Sequence, residues 1–289
     1  MSTTKTKIEW THRTWNPVKG CSRVSPGCLN CYAEGIASRF SGEGQPFHLF
    51  AERKPSPHWT GRVEVNETSF IEPLRWKKPA LVFVNSMSDL FHEGLSFDSL
   101  IRIFRVMQRC PHLTFQVLTK RAERMADVVP AIVDHLGRLG NVWLGVSVEN
   151  QEWANKRLPQ LYRMVRWAPV LFASYEPALG PVDWKECGAV EAAGRGGLGW
   201  VIIGGESGHH ARPFCLDWAR DTISAFRGTN CAMFVKQLGP LPYVPHGTED
   251  ALCLKLKDRK GGDMEEWPPE LEALKVRQYP KAWNPGGAA

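Results

Sequence analysis

What the chain does not contain narrows it first. No apolar run is long enough to cross a bilayer, so no membrane association is expected. The N-terminus, Met1-Ser-Thr-Thr-Lys-Thr-Lys-Ile8, is polar and lacks the apolar centre of a secretion signal, which points to the cytoplasm. The cysteines do not make a disulfide framework either. Five of the eight (Cys110, Cys187, Cys215, Cys231, Cys253) stand singly and read as small buried hydrophobes in a reducing compartment. Nor is there a strong excess of one charge. The net +6 favours a polyanionic partner only mildly, because many enzymes carry such a balance without touching nucleic acid. With 43% apolar and 23% charged residues, 289 residues suffice for one α/β barrel or two small domains.

What is present is concentrated in one stretch, Gly20-Cys21-Ser-Arg-Val-Ser-Pro26-Gly27-Cys28-Leu-Asn-Cys31-Tyr32-Ala33-Glu34. Three cysteines, with six and then two residues between them, sit on turn formers and run into a segment with helical spacing of Tyr32, Ile36 and Phe40. Thiolates are soft ligands, so metal is the natural reading. A four-iron cluster fixed by Cys21, Cys28 and Cys31 keeps one iron open to an exogenous ligand. Zinc is the competing metal, and a structural zinc site would need a fourth ligand from His12, His48 or a distant cysteine.

The β-prone run Ile8 to Val18 precedes this loop, and Pro17 and Gly20 stop it. Residues 42–79, rich in Pro, Gly, Trp and His, read as a long irregular insertion. From residue 80 apolar runs recur at Leu81–Val84, Phe115–Leu118, Val142–Val146, Val170–Ala173, Trp200–Ile203 and Ala232–Val235, roughly thirty residues apart, the length of a strand plus crossover helix. Amphipathic stretches lie between them, at Phe97–Gln108, Arg124–Leu136, Gln151–Met164 and Leu216–Phe226. Strands apolar on both faces predict a parallel sheet. The fold class expected is therefore α/β, a partial or irregular (β/α) barrel of TIM type over residues 1–239. Residues 240–289 read as a C-terminal extension or cover, with a hairpin around Leu252–Leu256 and the turn Lys260-Gly261-Gly262-Asp263.

Polar residues follow each apolar run: Asn85-Ser86-Met87-Ser88-Asp89, Thr119-Lys120-Arg121, Ser147-Val-Glu149-Asn150, Ser174-Tyr175-Glu176-Pro177, Gly204-Gly205-Glu206-Ser207 and Lys236-Gln237. The C-terminal ends of barrel strands are where such folds keep their chemistry. Lys120, Glu176, Glu206 and Lys236 are the candidates for substrate binding or proton transfer, each weighed against a plain structural ion pair.

A strand that ends in a three-cysteine loop and continues into βα units resembles the radical S-adenosylmethionine (SAM) superfamily. More closely, Thr14-Trp-Asn-Pro17, Ser25-Pro-Gly-Cys28 and Cys31-Tyr-Ala-Glu34 resemble a phage and bacterial three-cysteine-motif family of unassigned function. So do Ser86-Met-Ser-Asp-Leu-Phe-His92, Leu118-Thr-Lys-Arg121, Gly145-Val-Ser-Val-Glu-Asn150, Glu176-Pro177, Gly204-Gly-Glu-Ser-Gly208 and Phe234-Val-Lys-Gln237. The resemblance implies a [4Fe-4S] cluster on Cys21, Cys28 and Cys31, with the methionine part of SAM on the open iron. It also implies an electron donor, and cleavage of SAM to a 5′-deoxyadenosyl radical that abstracts a hydrogen atom.

The chain departs from the superfamily in two places. The common spacing has three residues between the first two cysteines, and a Gly-Gly-Glu usually follows the second strand, where this chain has Ser86-Met87-Ser88-Asp89. By strand-end placement, Ser86, Ser88 and Asp89 are candidates for the SAM amino group, and Ser147 and Glu149 for its ribose hydroxyls. Lys120 and Arg121 suit a carboxylate or a substrate phosphate. Basic charge and twelve tryptophans, with Trp59, Trp76, Trp153, Trp167 and Trp184 near Arg or Lys, suggest a nucleic-acid or nucleotide-like substrate. The alternative is a zinc- or cluster-stabilised nucleic-acid-binding protein without catalysis. A ring of strand-end carboxylates separates the two, since a polyanion-binding surface has no use for it.

Overall fold

The computed structural model describes residues 6–246 and 250–283. Seven strands form the main sheet: β1 (Arg13–Trp15), β2 (Ala80–Val84), β3 (Leu113–Thr119), β4 (Val142–Ser147), β5 (Leu171–Tyr175), β6 (Trp200–Gly204) and β7 (Ala232–Gln237), in the order β1-β2-β3-β4-β5-β6-β7. β1, β2 and β3 pair in parallel, as do β5, β6 and β7. Among the described residues six helices accompany them: α1 (Tyr32–Arg39), α2 (Phe97–Gln108), α3 (Ala122–Leu136), α4 (Gln151–Tyr162), α5 (Ala189–Gly194) and α6 (Leu216–Ala225). This is the α/β architecture of a partial (β/α) barrel. Among the described residues no helix is long and apolar enough to cross a membrane.

The strands form where β-branched and aromatic residues run unbroken. β2, Ala-Leu-Val-Phe-Val, is buried at all five positions, as are β5 and β6. The helices start on local signals, as at α2, where the Ser96 hydroxyl accepts from the Ser99 N–H at 3.2 Å. Two compact units result. The first holds residues up to Gly145 together with Arg163–Pro169, and the second holds Val146–Tyr162 and Val170–Trp283.

In the first unit, Trp15 on β1 packs against Phe115 on β3 and donates from Nε1 to the Ser69 carbonyl at 2.9 Å. That bond ties the insertion to the sheet. Residues 42–79 are more ordered than their composition suggests. Ala51–Glu52 pairs antiparallel with His58–Trp59, and Glu64–Val65 pairs antiparallel with Val18–Lys19, the segment that leads into the cysteine loop. Backbone pairing supplies here what apolar periodicity does not announce.

In the second unit, Trp200 on β6 lies against Phe172, Phe234 and Tyr279, with its Nε1 donating to the Gln278 carbonyl at 3.0 Å. The outer edge of β7 is covered by the tail. Val235 N–H donates to Val276 O at 2.8 Å and Gln278 N–H to Met233 O at 2.8 Å, so residues 276–278 finish the sheet as an antiparallel bridge. The expected hairpin after Leu252 is replaced by a different one. Asp250–Cys253 pairs antiparallel with the preceding Pro242–His246, which itself lies parallel to Phe214–Cys215. The Gly261-Gly262 stretch is a loop around Asp258, whose carboxylate accepts from the N–H groups of Lys260, Gly262 and Asp263. A side chain that satisfies three amides outcompetes a tight strand turn.

The edge cover gives a testable expectation. Gln278→Pro removes the N–H that bonds to Met233 and is expected to destabilise the protein by about 1–3 kcal/mol and to promote self-association through β7. Urea unfolding with light scattering checks it; an unchanged midpoint and no scattering would contradict the cover.

Candidate functional site

The cysteine loop is shaped by local backbone rules. Gly20 adopts φ +84°, and a Cβ there would meet the Arg62 carbonyl at 1.9 Å, so only glycine fits this approach. Pro26–Cys28 is a single 3-10 turn closed by Cys28 N–H donating to Ser25 O at 2.9 Å. Cys31 caps α1. Its side chain makes no capping hydrogen bond, but the thiol sits at the start of α1, where the N–H groups of Glu34 and Ala33 favour its thiolate.

All three cysteines are free thiols, partly exposed, and close enough for their charges to interact. Burial pushes the Cys21 thiol up to about 12, with Asp89 adding to the rise and Arg121 opposing it. Burial also raises Cys31, against the pull of the Glu34 N–H and of Lys120. Arg23, held charged by its hydrogen bonds to Glu34, faces Cys28 and Cys31. Lys120 thus faces Cys31, Arg121 faces Cys21, and Arg23 faces the other two.

Both guanidinium groups are anchored. Arg23 grips the buried Glu34 with Nε at 3.0 Å and Nη2 at 2.6 Å, and the same carboxylate accepts from the Trp59 N–H at 2.9 Å. Arg121, with only 4% of its side chain exposed, donates from Nε to Glu93 at 2.8 Å and from Nη2 to the Ser22 hydroxyl at 2.8 Å and carbonyl at 3.2 Å, while its Nη1 forms an ion pair with Asp89 at 3.2 Å. Its Nη1 lies 4.0 Å from the Cys21 sulfur. Burial works against that charge, but Asp89, Cys21 and Glu93 outweigh it. His92 completes the contact. Gly94 N–H donates to its Nδ1 at 3.1 Å, so the neutral ring carries its proton on Nε2 and donates to Ser22 Oγ at 2.8 Å. Burial, and then Arg121, lower its pKa and keep it neutral.

The structure gives the residues nominated after β2 defined partners. Ser86 Oγ and Met87 N–H both donate to the Asn16 side-chain oxygen, at 3.2 and 3.0 Å, and Ser88 Oγ donates to Val18 O at 3.0 Å. Asp89 accepts from Thr119 Oγ1 at 2.7 Å and from the N–H groups of Phe91 and Lys120 at 3.0 Å each, besides Arg121. Tyr32 Oη donates to Ser86 O at 2.6 Å, joining this loop to α1. Asn85, at φ +61°, has its amide buried with no hydrogen-bond partner among the described residues.

In the second unit, Arg157 donates from Nη1 to Glu149 at 3.1 Å and to the Ser147 carbonyl at 2.9 Å, with the Trp153 ring over its guanidinium at 4.2 Å. Glu176 pairs with Lys236, and Glu206 accepts from Arg212 Nε at 2.9 Å and Nη2 at 2.5 Å. Trp184, nominated for base stacking, is instead core. It is 1% exposed, edge-on to Tyr175 and Phe226, with Nε1 donating to Thr222 at 2.9 Å. Its aromatic area is worth more buried than stacked on solvent.

The network around the loop uses residues to which the sequence gives no role of their own: Ser22 and Glu93, together with Asn16, His92 and Glu34, which stand inside the family-like motifs, Glu34 being the anchor of Arg23. Ser22-Arg23 directly after the first cysteine is the one local signal. Among the described residues no three His, Cys, Asp or Glu side chains are drawn together as ligands of a single ion. Ligands of a cluster bind separate irons, so they need not close on one point. Three soft thiols faced by three cations and a helix N-terminus suit a group that is anionic once bound.

Residues 5–265 match the model of a family described as protein of unknown function, DUF5131. No curated protein matches the chain. Among solved structures, a double mutant of spore photoproduct lyase with bound AdoMet and dinucleoside spore photoproduct is similar with a TM-score of 0.43 at 13% identity, covering 90% of this chain and 73% of that one. A cysteine-to-serine mutant of the same lyase gives 0.43 at 11% identity, covering 89% and 72%.

The thiol environment predicts slow chemistry in metal-free protein. At pH 8, iodoacetamide is expected to label Cys21 at least about tenfold more slowly than the exposed Cys253, the gap narrowing as pH rises toward 12, because only the thiolate reacts. Peptide mapping over time reads it; equal rates would contradict the buried, protonated Cys21.

Proposed function

The chain belongs to the DUF5131 family of proteins of unknown function, and we propose that it is a radical-SAM-like iron–sulfur enzyme acting on a nucleic-acid or nucleotide-like substrate. One observation carries this reading: three free thiols on the loop before α1, each faced by an anchored cation. In this reading Cys21, Cys28 and Cys31 hold a [4Fe-4S] cluster. Such a cluster, reduced by an external electron donor, would supply the one electron for reductive cleavage of the SAM C5′–S bond to methionine and a 5′-deoxyadenosyl radical.

The chain's own residues then have distinct tasks. The α1 N-terminus, Arg23 and Arg121 offset negative charge on the cysteine sulfurs. Asp89 holds the loop after β2 against the end of β3, so that Ser86 and Ser88 keep a fixed backbone beside Tyr32. Asn85 presents a strained strand end with unpaired amide groups, a composition suited to a polar ligand atom. Lys120 offers an ammonium next to Cys31 for a carboxylate. Glu176, Lys236 and Glu206 form close ion pairs that can bind substrate or move a proton between partners. The net charge of +6 supports an anionic substrate.

Anaerobic reconstitution with iron and sulfide, followed by dithionite and SAM, is expected to yield 5′-deoxyadenosine by chromatography. Cys28→Ala is expected to lose the cluster absorbance and cut product at least about a hundredfold while retaining the parent's circular dichroism. A parent protein that binds one zinc and leaves SAM intact would overturn the enzyme reading.

A further inference from the structure

The Arg121 guanidinium is anchored at every arm. Nε is fixed on Glu93 at 2.8 Å, Nη1 on Asp89 at 3.2 Å, and Nη2 on both oxygens of Ser22 at 2.8 and 3.2 Å. Asp89 cannot yield, because Thr119, Phe91 and Lys120 also donate to it. The charge is therefore held 4.0 Å from the Cys21 sulfur and shielded from water. A unit charge at that distance, away from solvent, acts strongly on any change of charge at the sulfur. Lysine could supply the charge but not four directed contacts at once.

We propose that Arg121 is a positioning residue that sets the reduction potential of the cluster held by Cys21, favouring the added negative charge of the one-electron-reduced form. The inference rests on the reading of Cys21, Cys28 and Cys31 as cluster ligands. The electron comes from the external donor, and no bond within the chain changes. Glu93 bears the opposite charge against the same guanidinium, so it acts with the opposite sign. Its side chain is 64% exposed, which makes its effect the smaller one through solvent screening.

The test uses full-length protein reconstituted with iron and sulfide, without SAM, titrated against redox mediators and followed by the electron paramagnetic resonance of the reduced cluster. Arg121→Met is expected to shift the reduction equilibrium about tenfold toward the oxidised form, a potential lower by about 59 mV for a one-electron couple. Arg121→Lys is expected to stay nearer the parent potential but to bind less iron, because the Ser22 contacts are lost. Glu93→Gln is expected to raise the potential by a smaller amount. A role confined to holding the loop would lower iron content in all three variants and leave the potential of the clusters that do form unmoved, and that result overturns the proposal. Should Arg121→Met fail to fold, Glu93→Gln decides alone: a potential equal to the parent's overturns it. A parent that takes up no iron and sulfide overturns the cluster reading and this inference together, whereas a loaded parent with unmoved potentials in the variants overturns the inference only.

Discussion

A guanidinium removed from water needs every donor and its whole charge satisfied, and the first unit is arranged around meeting that need for Arg121. Asp89 supplies one carboxylate oxygen, Glu93 another, and Ser22 both of its oxygens. Three segments remote in sequence are joined by this one side chain: the loop after β2, the end of β3 and the cysteine loop. Leaving either member of the buried Asp89–Arg121 pair without its partner would cost about 3–5 kcal/mol, more than the pair contributes over a well-packed apolar alternative. Its value is therefore specificity of position. A loop of glycine, serine and proline has little apolar area with which to fix itself, and directed hydrogen bonds do so instead.

The second unit treats its strand-end carboxylates in another way. Glu149 meets Arg157, Glu176 meets Lys236 and Glu206 meets Arg212. Glu149 is fully buried beneath the Arg157 guanidinium, with the Trp153 ring covering that cation, so this pair is part of the interior. Glu176 and Lys236 keep 17% and 15% of their side chains exposed, and Arg212 keeps 29%. Those two pairs retain the access that a ligand requires. Burial, more than residue type, sorts these acids by the work they can do.

How much of this the residues announce follows the same division. β2 to β7 are legible because each contains a largely apolar, largely buried run, and α2 is legible from Phe97 to Gln108 because its apolar positions recur at helical spacing. The cysteine loop is legible from Cys21, Cys28 and Cys31, whose spacing no core requires. The two ribbons of residues 51–65 are not, because strands of two residues carry no alternation to read. The pairing of Asp250–Cys253 with Pro242–His246 is missed since Asp258 diverts the glycines that resemble a turn. Ser22, His92 and Glu93 are missed for a different reason. A polar side chain becomes part of a site through partners 28 to 99 residues away, and no local pattern encodes that.

Charge accounting around the thiols connects these parts. Arg23, Lys120 and Arg121 bring three positive charges to the loop, and Glu34, Asp89 and Glu93 bring three negative ones, each acid holding at least one of those cations or its backbone. The surroundings are thus close to neutral before the cysteines are counted. Burial is the main reason that Cys21 and Cys31 resist losing their protons, and surroundings so close to neutral do not offset it. Glu34 makes the point sharply. A carboxylate at the start of the cysteine-capped helix would repel bound thiolates, and it is tolerated because Arg23 and the Trp59 N–H, the latter supplied by the insertion, neutralise it. In the proposed cluster reading, a cationic metal core would supply the missing positive charge, and its binding would be coupled to release of the thiol protons.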